Sequence, residues 1–245
     1  GGGGGGPSPV RRREVIVVTL ARSPWVTEAS VFFFPKVAEL IKELGIKVVY
    51  ASGADGLRPK PPPRLTDEQL EEFWGSVKGE AIGKEVREFY TQYEGQSWKN
   101  IISIGDSEFE RLGTMRAVEE YMRRQGIADV KACSSRAEQQ GSLEPPSPKV
   151  EKSKAHQAEI KGHLYRVRIK TFKMLDQPTA SELVAQLDML RQWLPLMVNL
   201  DDGFDVEFGS IQDMAHIQMI DDVLRGVTVE QESTPGPIIE TPCEE

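Results

Sequence analysis

Cysteine is scarce in this chain: Cys133 and Cys243 are the only two among 245 residues. They lie far apart and without partner spacing, which excludes a disulfide framework or a cysteine-based zinc site and fits a reducing compartment. Cys133 closes an apolar run and reads as a small buried hydrophobe rather than a nucleophile. No apolar stretch approaches the roughly 20 residues of a membrane-spanning helix, and no signal-peptide pattern opens the chain. The expectation is a cytoplasmic protein with no membrane partner. Positive charge is not in excess either, with 30 Lys and Arg against 38 Asp and Glu and a net charge of −8. A sequence-independent nucleic-acid binder needs a basic face to neutralise phosphates, so no nucleic-acid partner is expected. The triplet Arg11-Arg12-Arg13 reads as a short solvated run. No Gly-x-Gly-x-x-Gly follows any strand-like segment, which argues against a dinucleotide oxidoreductase. No internal repeat is evident.

What is present suits a globular α/β domain. Hydrophobic residues make up 39% and charged residues 28%, and a chain of this length can bury a core without covalent staples. Residues 1–13, opened by six glycines, read as disordered. Val15 to Thr19 is a β-branched run of the kind found in strands buried on both faces. A helix follows near Pro35, with Val37, Leu40, Ile41 and Leu44 at helical spacing, and Gly45 ends it. Lys47 to Ala51 is a second strand, which completes a βαβ unit. Residues 52–64 form a Pro-rich loop. Thr66 opens a helix with a capping box to Gln69, and its stripe of Ile82, Val86, Phe89 and Tyr93 runs on to Gly95.

Asn100 to Ile104 is the third strand, and Phe109, Leu112, Met115, Val118 and Met122 mark the helix after it. Residues 128–133 suggest a fourth strand, and residues 134–158 a flexible insertion. Leu164 to Phe172 returns to β character, and Thr179 caps a last helix with the stripe Leu183, Leu187, Leu190 and Leu194. Trp193 to Met197 reads as core more readily than as a partner surface. The expected domain is residues 14–208, with an acidic, largely disordered tail over 209–245.

The strongest chemical signal is Ile101-Ile102-Ser103-Ile104-Gly105-Asp106-Ser107-Glu108-Phe109-Glu110. It delivers a glycine and an aspartate to the carboxyl end of a parallel strand, where open α/β sheets place their ligands. Glu110 follows four residues later on the first helical turn, so that Asp106 and Glu110 can share a hard cation such as Mg²⁺. The alternative is that Asp106 simply caps the helix. Asp201-Asp202-Gly203-Phe204-Asp205 is expected to be a solvated turn.

The segment Gly105 to Glu110 resembles the metal-binding motif of haloacid-dehalogenase-like phosphohydrolases. Val15 to Thr19 is similar to that superfamily's second motif, and Lys78, in Trp74-Gly75-Ser76-Val77-Lys78-Gly79, stands where its motif lysine would. Trp25-Val26, Phe34-Pro35 and Phe172 to Thr179 resemble a subgroup of alveolate, algal and plant proteins. The resemblance implies a Rossmann-like parallel sheet with flanking helices and a small phosphorylated ligand. It also implies Thr19 and Lys78 as phosphoryl-binding residues, Asp106 and Glu110 as ligands of Mg²⁺, and Mg²⁺-dependent phosphoryl hydrolysis by ancestry.

The first motif of the superfamily, Asp-x-Asp-x-Thr, is absent, and with it the nucleophile. Either its strand lies upstream of Gly1, or Val15 to Thr19 is that strand with its aspartates replaced by Thr19 and Ala21. In the superfamily the first strand is central. The chain is therefore expected to be an inactive or incomplete phosphatase, or a non-catalytic binding or scaffold protein. Its sheet must pair Val15–Thr19 directly with Ile101–Ile104, borrow a strand, or stay marginally stable.

Overall fold

A computed structural model describes residues 14–52, 59–92, 97–126, 148–153, 155–160 and 162–227. The expectations for residues 1–13, Tyr93, residues 128–133, the bulk of the insertion, both cysteines and the end of the tail lie outside these residues.

The amino-terminal part runs β1 (Ile16–Thr19), α1 (Trp25–Phe33), α2 (Pro35–Glu43) and β2 (Lys47–Tyr50). β1 and β2 pair in parallel, Ile16 opposite Lys47 and Thr19 opposite Tyr50, as a βαβ unit should. Gly45, at φ +62°, ends α2 in the left-handed conformation that glycine tolerates. The separate helix α1 was not expected. The α2 stripe is less buried than its spacing suggests, since Val37, Leu40 and Leu44 are all exposed.

Next come α3 (Asp67–Thr91), β3 (Asn100–Gly105) and α4 (Glu108–Arg124), then β4 (Val150–Ser153), β5 (His156–Ile160) and β6 (His163–Lys173), and finally α5 (Ala180–Asn199), β7 (Gly203–Glu207) and α6 (Met214–Leu224). The larger sheet has the order β3-β6-β7-β4. β3, β6 and β7 are parallel, and β4 is antiparallel to β7. β6 is long enough to serve two neighbours in turn: residues 163–167 pair with β5 and residues 168–173 with β3. The protein is thus a mixed α/β molecule in which parallel strands are flanked by helices.

Strand alternation sorts the core into two halves. Ile102, Ile104, Phe172, Phe204 and Val206 face α5 and α6, where Trp193, Met197, Ile220, Val223 and Leu224 close the layer. Ile101, Val167 and Ile169 face α4, packing with Ala117, Val118, Tyr121 and Met122, and α3 adds Ile82, Val86 and Tyr90. Two tyrosines tie the entry of β3 to these helices. Tyr121 Oη accepts the Trp98 amide at 3.2 Å while the two rings stack, and Tyr90 Oη accepts the Lys99 amide at 3.0 Å.

Four expectations need correction. Residues 150–153 and 156–160 are strands, not flexible insertion, because they find partners in β7 and β6. Residues 214–224 form a helix whose Ile220, Val223 and Leu224 complete the core, so the domain continues past residue 208. On α5, Leu183, Leu187 and Leu194 are exposed, and Gln186, Trp193 and Met197 are buried instead. The expected turn is confined to Asp201 and Asp202; Gly203 to Asp205 belong to β7, and Asp205 is 2% exposed.

Of the three outcomes expected for the sheet, direct pairing of Val15–Thr19 with Ile101–Ile104 is not made. Among the described residues β1 pairs only with β2, and β3 only with β6. Helix α3 spans the interval, packing on β1 and lying along α4. The approach of the two helices is close because glycines meet: a Cβ on Gly79 would lie 2.9 Å from the Gly113 carbonyl oxygen, and one on Gly75 would lie 3.1 Å from Leu112 Cβ. No helix among the described residues is long and apolar enough to cross a membrane.

Candidate functional site

β1 and β3 bring their carboxyl ends to one open cavity of about 490 Å³. Thr19 and Arg22 line one wall, Lys78 comes from α3, and Ser107 and Glu110 come from the start of α4. The cavity therefore lies beyond the carboxyl ends of parallel strands from two separate sheets, the end at which open α/β proteins bind ligands.

Each side chain is held by local chemistry. Thr19 Oγ1 accepts the Ala21 amide at 3.0 Å, which bends the chain sharply after β1. Ser52 Oγ donates to the Leu20 carbonyl at 3.1 Å and fastens this turn to the end of β2. At β3, Gly105 leaves room for the side chain of Glu110, whose Cγ, Cδ and Cβ lie where a Cβ would stand. Ser107, not Asp106, is the N-cap of α4. Glu110 reaches back to accept the Ser107 amide at 3.2 Å and the Ser107 hydroxyl on Oε2, in a capping-box arrangement.

The Lys78 ammonium donates to Glu110 Oε1. Lys78 is 5% exposed, and burial draws its pKa down to about 8 against the opposing charge of Asp106. Asp106 is exposed and makes no hydrogen bond with the described residues. The four residues singled out from the sequence thus gather at one rim: Thr19, Lys78 and Glu110 line the cavity, and Asp106 sits beside Ser107 close enough to act on Lys78.

The donors are not arranged for a resident Mg²⁺. Both oxygens of Glu110 are already occupied, one by an ammonium and the other by Ser107, and Asp106 alone is left to offer a carboxylate. The described residues hold no cluster of three or more His, Cys, Asp or Glu suited to a metal. A divalent ion would have to displace Lys78 before Asp106 and Glu110 could share it.

Sequence reasoning overlooked two parts of this region. The first is the series Gly75, Gly79 and Gly83, whose four-residue spacing was visible and sets how near Lys78 comes to α4. The second is Asp205 of β7, which pins the first turn of α4. Its carboxylate accepts Arg111 Nε at 2.7 Å and Thr171 Oγ1 at 2.6 Å, with Lys149 Nζ at 3.1 Å. Burial alone would raise the Asp205 pKa, but Arg111, Thr171 and Lys149 more than reverse this and hold it below the usual carboxylate range. The chain matches no family model, no curated protein and no solved structure.

Proposed function

We propose that the chain is a haloacid-dehalogenase-like domain that binds a small phosphorylated molecule at the rim of β1 and β3 and, in this form, does not hydrolyse it. One observation carries the reading: Thr19, Lys78 and Glu110, separated by as much as 91 positions in the sequence, line a single cavity beyond the carboxyl ends of β1 and β3, and Asp106 lies near enough to act on Lys78. Motif resemblance alone would not require that meeting.

The chemistry follows from these groups. Lys78 supplies a buried positive charge for phosphoryl oxygens, which is worth more here than in water. The Thr19 hydroxyl can donate to one of those oxygens, and Glu110 holds the Lys78 ammonium in position. No aspartate in an Asp-x-Asp-x-Thr setting is present to attack phosphorus, and loss of a nucleophile lowers turnover by on the order of 10⁶-fold.

Two measurements test the proposal. Calorimetric titration with inorganic phosphate should show binding that Lys78→Met removes, and no binding by the unmutated chain would end the phosphoryl reading. Incubation with p-nitrophenyl phosphate and Mg²⁺ should release no nitrophenol. Turnover that disappears in Asp106→Asn would show instead that the chain is a working phosphatase.

A further inference from the structure

The cavity is larger than a phosphate needs, and its walls are not uniform. At about 490 Å³ it is open to solvent and has room for more than a phosphate. Its lining combines Thr19, Arg22, Lys78, Ser107 and Glu110 with the apolar side chains of Leu70, Trp74 and Phe109.

The helix geometry orders these groups. Leu70, Trp74 and Lys78 stand four residues apart on α3, so they occupy successive turns of one face. Eight residues of helix rise about 12 Å, which separates Lys78 from Leu70 along α3. Phe109, on the first turn of α4, adds a second ring to the lining. Trp74 is half-buried and meets Phe73 edge-on, with ring centroids 5.0 Å apart.

We infer that the ligand is a phosphate monoester whose organic part is a flat, apolar, ring-sized group lying along α3 from Lys78 towards Leu70. This rests on the phosphoryl-binding reading and adds the chemical class of the ester. Leu70, Trp74 and Phe109 present mainly carbon to a ligand. An aryl ester would cover the same surfaces with carbon.

The test is calorimetric titration of the full chain with inorganic phosphate, methyl phosphate, 1-naphthyl phosphate and 1-naphthol. The naphthyl ester should bind at least about tenfold more tightly than the methyl ester, and Trp74→Ala should bring its affinity down towards that of the methyl ester. Trp74→Leu, which keeps an apolar side chain there, should retain part of the difference and guards against a folding defect in the alanine variant. If phosphate and both esters bind equally, the aryl inference is overturned while phosphoryl binding stands. If naphthol binds and no phosphate does, or if nothing binds, both fall.

Discussion

Replacing Asp205 with alanine should destabilise the fold more than any other single carboxylate change near the site. Asp205 is 2% exposed and takes Arg111, Thr171 and Lys149 on its two oxygens. In Asp205→Ala the Arg111 guanidinium keeps, among the described residues, only Glu108 at 3.0 Å, and Lys149 only the exposed Glu151. Removing one member of a buried pair leaves an uncompensated charge and costs about 3–5 kcal/mol, a large share of the roughly 5–15 kcal/mol that holds a domain together. With a urea slope of about 3 kcal/mol/M, the unfolding midpoint should fall by roughly 1–1.7 M.

The control comes from the same stretch of chain. The Asp201 side chain is 71% exposed and pairs with Arg166 and Arg168, so Asp201→Ala should move the midpoint far less than Asp205→Ala does. Acid provides a second readout. A carboxyl whose folded pKa lies below its unfolded value of about 3.9 stabilises fully above that value and loses the contribution as pH falls through the folded one. The unmutated chain should therefore lose stability below about pH 4 more steeply than Asp205→Ala does. Equal midpoints for the two alanine variants, together with parallel acid curves, would refute the network.

Two further predictions concern the α3–α4 contact and Lys170. Gly79→Ala should destabilise by about 1–3 kcal/mol despite alanine's better helix propensity, because its Cβ would meet the Gly113 backbone. Gly83→Ala, with Arg87 Nη1 at 3.4 Å and Ala117 Cβ at 3.5 Å, should be neutral or stabilising by up to about 1 kcal/mol; urea melts that rank the two the other way would contradict the packing. Burial draws the Lys170 pKa down to about 8, and its Nζ donates to the Met197 and Leu200 carbonyls at 2.6 Å each, which a neutral amine can still do. Because the unfolded chain then binds more protons between pH ~8 and ~10.4, stability should rise with pH across that window. Thermal melts should show a smaller rise in Lys170→Met, and identical slopes in the two proteins would dismiss the effect.

Those parts of the fold that rest on local patterns could be read from the sequence. β1, β2, β3 and β6 are β-branched or apolar runs, and Thr66 and Thr179 announce α3 and α5 through capping boxes that the structure forms. The misses share a cause: the deciding partner is remote. Asp201-Asp202-Gly203 resembles a turn by composition, and Asp205 is admitted to a strand only because Arg111, 94 positions away, offsets its charge. On α5 apolar residues cover so much of the helix that spacing could not choose between the Leu183 stripe and the Trp193–Met197 stripe; the core built by β6, β7 and α6 chooses. In α3 the glycines lower helix propensity, so their value appears only once Gly113 is opposite them.

The candidate site depends most on what joins β1 to β3. Backbone hydrogen bonds do not join them among the described residues, where β1 pairs with β2 and β3 with β6. α3 does so instead: it packs on β1, lies against α4 through Gly75 and Gly79, and carries Lys78 to Glu110 between the two strand ends. Lys78 is then both the proposed phosphate-binding cation and a fastener of the rim, and the two uses conflict, because an ammonium held by Glu110 is partly neutralised towards an incoming anion. A ligand phosphate must share Lys78 with Glu110. Affinity should therefore be limited by that carboxylate, so Glu110→Gln should bind inorganic phosphate more tightly than the unmutated chain while unfolding at lower urea. If Glu110→Gln weakens phosphate binding instead, Glu110 serves the ligand directly and the competition argued here is wrong.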